Sequence, residues 1–161
     1  MNEDIGNVPR ILVLGIGNEL CGDDGFGPAV VKEFSKRPEA RNVSLENGAT
    51  LGLNLVWLME DYDVVLVADA VLGIGYAGDI KRIEFEKVEC DSTIRLSLHE
   101  IGLAQAVDIA EHAGWKVPKI IVFGVEPKTT EFGIKVLSEE IARAVPTVAK
   151  MISEEIQKLV L

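Results

Sequence analysis

Cysteine is nearly absent from this chain of 161 residues. Only Cys21 and Cys90 occur, too few for a disulfide framework, so a reduced, cytoplasmic setting is expected. Aromatic residues are also scarce, at 6 % against 48 % hydrophobic, which calls for an aliphatic core. Basic residues are outnumbered, with 16 Lys and Arg against 26 Asp and Glu. The resulting net charge of −10 argues against nucleic acid or an anionic membrane as partner. No apolar run approaches the roughly 20 residues of a membrane span, so no membrane insertion is expected. The first ten residues hold Asn2, Glu3, Asp4 and Asn7 and no apolar stretch. They read as a loose tail rather than a signal peptide, leaving 11–161 as one domain. Two nucleophile signatures are missing: there is no Gly-x-Ser-x-Gly, and no Cys stands beside a His. Position 103 is Leu, so His99-Glu100 does not open the helical zinc motif His-Glu-x-x-His.

What the chain does have is glycine concentrated in one place. Five glycines fall between Gly15 and Gly27, directly after the apolar run Ile11 to Leu14 and before a helical pattern near Pro28. That is a strand–loop–helix unit, with the loop at the carboxyl end of a strand, where α/β sheets place ligands. Inside the loop stand two adjacent carboxylates, Asp23 and Asp24. Neighbouring like charges repel, and such a pair suits a cation, a shared proton or a chemical step. A dinucleotide fingerprint is the rival reading, with Gly15 and Gly17 as its first glycines and Glu46 as the ribose acid. It fails at its third glycine, where Leu20 stands, and its anion would meet carboxylates where N–H groups are wanted. No nucleotide is therefore expected.

The rest of the chain continues the alternation of strand and helix. Strands are expected at 11–16, 43–46, 64–68 and 119–125, the first, third and last so apolar that both faces must be buried. A charged, alternating stretch at 79–86 reads as an edge strand, possible in antiparallel pairing. Helices are expected at 28–37, 51–60 and 100–113, with Thr50 capping the second. Residues 88–98 have no clear period and read as an irregular loop. A last helix follows Ser138 as cap, with a stripe of Ile141, Val145, Val148, Ile152, Ile156 and Leu159, and a kink is expected at Pro146. The fold class is α/β, a three-layer α/β/α arrangement on a twisted, mostly parallel sheet of about five strands.

Three polar residues share one position in that scheme. Asp24 follows strand one, Asp69 ends strand three, and His99 precedes the third helix. Two carboxylates and an imidazole at one sheet end resemble a divalent transition-metal site with open positions. Cys21 is a further candidate soft ligand, whereas His112 reads as a complement to a helix dipole.

The motif Gly-Ile-Gly-Asn-x-Leu-x-Gly-Asp-Asp-Gly-x-Gly-Pro at 15–28 closely resembles the opening signature of the [NiFe]-hydrogenase maturation proteases. So does Val67-Ala68-Asp69-Ala70 after its buried strand, and Ser97 to Leu103 is similar to that family's histidine segment. Asn47 to Thr50 and Gly124 to Pro127 extend the likeness over nearly the whole chain. The resemblance implies an endopeptidase that removes the C-terminal extension of a hydrogenase large-subunit precursor after nickel insertion. It implies Asp24, Asp69 and His99 as metal-contacting and catalytic residues, with Asp24 standing where some members carry Glu and Asp23 in a less certain role. The nickel would arrive with the precursor. Two modes stay open: the three residues bind the precursor's nickel and so dock the scissile bond, or the acids activate water directly. A non-catalytic metal-binding chaperone of the precursor would use the same ligands.

Overall fold

The computed structural model describes residues 6–47, 54–85 and 98–161, with residues 54, 56 and 98–102 described by their backbone alone. The expected turn at Gly48 with its Thr50 cap, most of the loop at 88–98, and Cys90 lie outside the described residues.

Five strands are present among the described residues: β1 (Ile11–Gly15), β2 (Ser44–Asn47), β3 (Val64–Ala70), β4 (Ile80–Phe85) and β5 (Lys119–Val125). They form one sheet in the order β2-β1-β3-β5-β4. The first four in that order are parallel, and β4 pairs antiparallel with β5, as its charged alternation predicts. Every residue of β1 and β3 is buried, which is why these strands read as unbroken apolar runs rather than alternating ones.

Among the described residues four α-helices cover the two faces: α1 (Phe26–Phe34), α2 (Asn54–Glu60), α3 (Leu98–His112) and α4 (Glu139–Leu159). Alternate strand residues sort into two cores. Ile11, Val13, Leu66 and Phe123 pack with Phe26, Phe34 and the α4 stripe on one side. Leu12, Leu14, Val65 and Val67 pack with Leu55, Met59, Leu103 and Val107 on the other. The three-layer α/β/α reading of the sequence therefore holds. No helix among the described residues is long and apolar enough to cross a membrane.

Two helix starts and one helix cap differ from expectation. α1 begins at Phe26, two residues before Pro28, because the chain enters it straight from a 3₁₀ turn at Gly22–Gly25. α3 begins at Leu98, so His99 lies in the helix's first turn rather than in a loop ahead of it. Ser138 occupies the position before α4, but its hydroxyl makes no cap; its carbonyl accepts the N–H groups of Ile141 and Ala142 at 3.1 and 2.8 Å. α4 runs from Glu139 to Leu159 as one helix with Pro146 inside it.

The edge strand β4 is held by a two-point ion pair. Arg82 donates through Nε and Nη2 to the Glu155 carboxylate of α4 at 3.0 and 2.8 Å. The Arg82 hydrogen bond holds Glu155 below its ordinary pKa against the opposing effect of burial.

The stripe of α4 faces the sheet, and Ile152 is fully enclosed. Ile152→Ala should lower unfolding stability by about 2–5 kcal/mol, the usual cost of truncating a buried aliphatic side chain. Urea unfolding checks this, and a change below about 0.5 kcal/mol would be incompatible with the packing described.

Candidate active site at the carboxyl end of the sheet

The loop after β1 is shaped by close backbone contacts. Ile16 N–H donates to the Ala68 carbonyl at 2.9 Å, carrying the chain one step beyond the end of β1. Gly17 then takes a φ of +141°, a region L side chains rarely adopt. A Cβ there would also stand 1.8 Å from the Asp24 carbonyl oxygen. Only glycine fits, and the next residue is thereby turned inward. Asn18 N–H donates to Asp24 Oδ2 at 2.8 Å, while Asn18 Oδ1 accepts the Leu20 N–H at 2.9 Å. Gly27 is the second obligatory glycine, since a Cβ on it would meet the Ile16 carbonyl oxygen at 2.2 Å. α1 thus starts hard against the ends of β1 and β3.

Asp24 and Asp69 are both buried, at 9 % and 1 % exposure. Asp69 sits in the second-last position of β3, in register with Gly124 of β5 and one step past Ala68, which pairs with Gly15 of β1. Both acids therefore belong to the carboxyl end of the parallel strands, as their sequence positions predict.

His99 lies in the first turn of α3, at its N-terminal end. At the other end of this helix, Lys116 pairs with Asp63 just before β3, and Lys119 N–H donates to the Asp63 carbonyl at 3.0 Å. The C-terminal end of α3 is thus near the amino ends of the strands, and its 15 residues span roughly 22 Å. The His99 side chain lies outside the described residues. Among the described residues no group of three His, Cys, Asp or Glu could hold a metal ion.

Asp23 has a different job from its neighbour. Its side chain points away into the segment between β5 and α4, with no exposed surface. Oδ2 accepts the N–H groups of Lys128 and Thr129 at 2.9 and 3.0 Å and the Ser138 hydroxyl at 2.9 Å. Oδ1 accepts the Ser138 N–H at 2.6 Å. Burial pushes the Asp23 carboxyl up, but the bonds from Ser138, Thr129 and Lys128 outweigh it and hold the group below its ordinary value. The two adjacent acids therefore divide their roles. Sequence reasoning missed this clamp because the partners of Asp23 lie 105 to 115 positions away; it missed Asn18 because that residue acts through its backbone N–H, which side-chain type does not mark.

Known proteins share this chain's sequence and architecture. The family model for hydrogenase maturation proteases matches residues 28–155. The chain belongs to that family. A putative hydrogenase maturation protease of Methanocaldococcus jannaschii is 32 % identical over 152 residues, covering 92 % of this chain and 97 % of that protein. The hydrogenase expression/formation protein HupD of Rhizobium leguminosarum is 35 % identical over 125 residues, covering 76 % of this chain. The matched part spans 62 % of that longer relative, under two thirds of its length. Among solved structures, the hydrogenase maturating endopeptidase HybD from Escherichia coli superposes with a TM-score of 0.80 at 26 % identity, over 92 % of this chain and 93 % of that one.

The Asp23 clamp makes a test at two pH values. A carboxyl held below its unfolded pKa of about 3.9 stabilises the fold above that pH, and the contribution is lost as pH falls through the folded value. Asp23→Asn puts an amide among four donors and should cost about 1–3 kcal/mol at pH 7. The gap from the unsubstituted protein should narrow below about pH 4. Urea unfolding at pH 7 and pH 3 reads both; equal stability at pH 7 would rule the clamp out.

Proposed function

We propose that this protein is an endopeptidase that removes the C-terminal extension of a [NiFe]-hydrogenase large-subunit precursor, and that the nickel carried by the precursor is its recognition signal. The observation that carries this reading is a pair of buried carboxylates, Asp24 and Asp69, at the carboxyl end of the sheet in a member of the hydrogenase maturation protease family. The names of its relatives, a putative hydrogenase maturation protease and a hydrogenase maturating endopeptidase, agree with it.

In this reading Asp24, Asp69 and His99 contact the precursor's nickel, which belongs to the substrate. Two carboxylates and one imidazole suit a divalent ion with positions left open for ligands from the precursor. The chain's own residues then do three things. They hold the scissile segment at the strand ends, they accept a proton from an attacking water, and they return it to the leaving amine. A carboxylate within hydrogen-bond reach of that water serves as base. The N–H of Asn18 on Asp24 Oδ2 fixes the carboxylate's orientation. No side-chain nucleophile is needed, in keeping with the missing serine and cysteine signatures. A cytoplasmic location suits a reaction on a precursor that is still being assembled.

The test compares nickel-loaded and nickel-free precursor, with cleavage followed by the mass of the large subunit. The loaded form should be cut, and Asp24→Asn and His99→Ala should each lower the rate by about 10²–10⁴-fold with the melting temperature retained. Equal cleavage of both forms would remove nickel as the signal and favour water activation by the carboxylates alone. An intact precursor under all conditions would overturn the endopeptidase reading.

A further inference from the structure

Exposed apolar side chains are unevenly spread over this molecule. Away from the chain ends, five of the seven large ones among the described residues lie on three loops: Leu20, Leu72, Tyr76, Phe132 and Val136. These loops follow β1, β3 and β5 and all stand at the carboxyl end of the sheet, around Asp24 and Asp69.

The loops are bonded to one another rather than to solvent. Gly22 N–H donates to the Ile134 carbonyl at 2.6 Å, Asp23 N–H to Thr129 at 2.8 Å and Gly133 N–H to Leu20 at 2.8 Å, joining the first loop to the third. Gly78 N–H donates to the Glu126 carbonyl at 2.8 Å and Glu126 N–H to that of Asp79 at 2.9 Å, joining the second to the third. The Glu126 carboxylate adds the Ile74 N–H at 2.9 Å. Together with the Asp23 clamp, these bonds hold the apolar side chains on a face whose shape is set before anything binds. Between the first and third loops runs a groove of about 390 Å³, with Leu20, Gly22 and Gly25 on one side and Lys135, Val136 and Leu137 on the other. Gly22 and Gly25 bracket Asp23 and Asp24 in sequence, so the groove runs beside the loop that carries the candidate active-site acid.

We infer that this face docks the polypeptide substrate, with the groove taking the apolar stretch of precursor chain that flanks the scissile bond. The inference rests on the endopeptidase reading for the identity of the occupant. A peptide bond presented to Asp24 belongs to a chain that must continue on both sides of it, and the groove lies along the loop that carries this acid. Glycine walls leave main-chain groups within reach of an extended peptide, while Leu20 and Val136 offer it apolar contacts. Tyr76 and Phe132 are the aromatic type that dominates protein interfaces. Side chains spread over three loops exceed what a small ligand would cover, and exposed apolar side chains gathered at one end of a sheet suit macromolecular contact. A face ordered in advance binds without the cost of ordering its loops. The chain's charge of −10 favours a neutral or basic segment in the groove.

The experiment measures binding of the full-length protein to immobilised, purified nickel-loaded precursor. The double variant Phe132→Ser/Val136→Ser and the single variant Leu20→Ser should each bind about tenfold more weakly or worse. Trp57→Ser, on α2, should bind within about twofold of the unsubstituted protein, since interface energy is concentrated in few residues. All four should melt together, as the substituted side chains are exposed. Unchanged affinity in both loop variants, or no binding by the unsubstituted protein, overturns the inference. So does a dimer, seen by sedimentation, that the double variant breaks while precursor affinity is kept; the face would then belong to a second copy. Cleavage is scored separately. Binding that depends on the loops without any cleavage sinks the endopeptidase reading and leaves the docking face standing, whereas cleavage with loop-independent binding does the reverse.

Discussion

The carboxylate of Asp23 ties together two segments more than a hundred positions apart, beside the backbone bonds that also join them. Its two oxygens take three backbone N–H groups and one hydroxyl from Lys128, Thr129 and Ser138. All four partners are donors, so only an ionised acid satisfies them, and its charge is offset by hydrogen bonds rather than by a cation. Without it, the loop after β1 and the segment entering α4 would each carry buried polar groups lacking a counterpart. The same arrangement explains why Ser138 does not cap α4 with its side chain: its hydroxyl is already committed to Asp23.

That fixed frame lets the neighbouring acid be something else. Two carboxylates next to each other in sequence would destabilise the fold if both lay unpaired in one buried space. Here they diverge. Asp23 turns toward the far segment, and Asp24 is held by the Asn18 amide near the strand ends. The turn at Gly17 makes that amide available, and the close seat of α1 at Gly27 keeps the loop pressed on the sheet. Stability and chemistry are thus assigned to adjacent residues that share one short stretch of backbone.

A parallel sheet concentrates function at one end, because each strand leads into its loop on that side. In this chain the loops after β1, β3 and β5 carry the buried acids, the exposed apolar side chains and the bonds that lock loop to loop. The opposite end is built differently, with Lys116 and Arg10 around Asp63. The Lys116 hydrogen bond, with help from Arg10, brings the Asp63 carboxyl down to about 2. That end serves the joining of strands and helices, and the division follows from strand direction alone.

Sequence by itself determined the strands, because continuous aliphatic runs such as 11–14 and 64–68 can be satisfied only by burial on both faces. It also determined the α4 stripe, the edge character of β4, the glycine-dense loop and the position of Asp24 and Asp69 at strand ends. These are local properties, written in spacing and side-chain type over a few residues. Family membership was legible for the same reason, since the motif at 15–28 is contiguous. Tertiary structure alone decided which of two adjacent aspartates braces the fold and where the Ser138 hydroxyl goes. It also decided that Arg82 reaches Glu155 across 73 positions. It set the start of α3 ahead of His99, where no periodic signal marks the boundary. Each of those outcomes depends on hydrogen-bond partners far away in the chain, and no pattern of neighbouring residues encodes a partner's address.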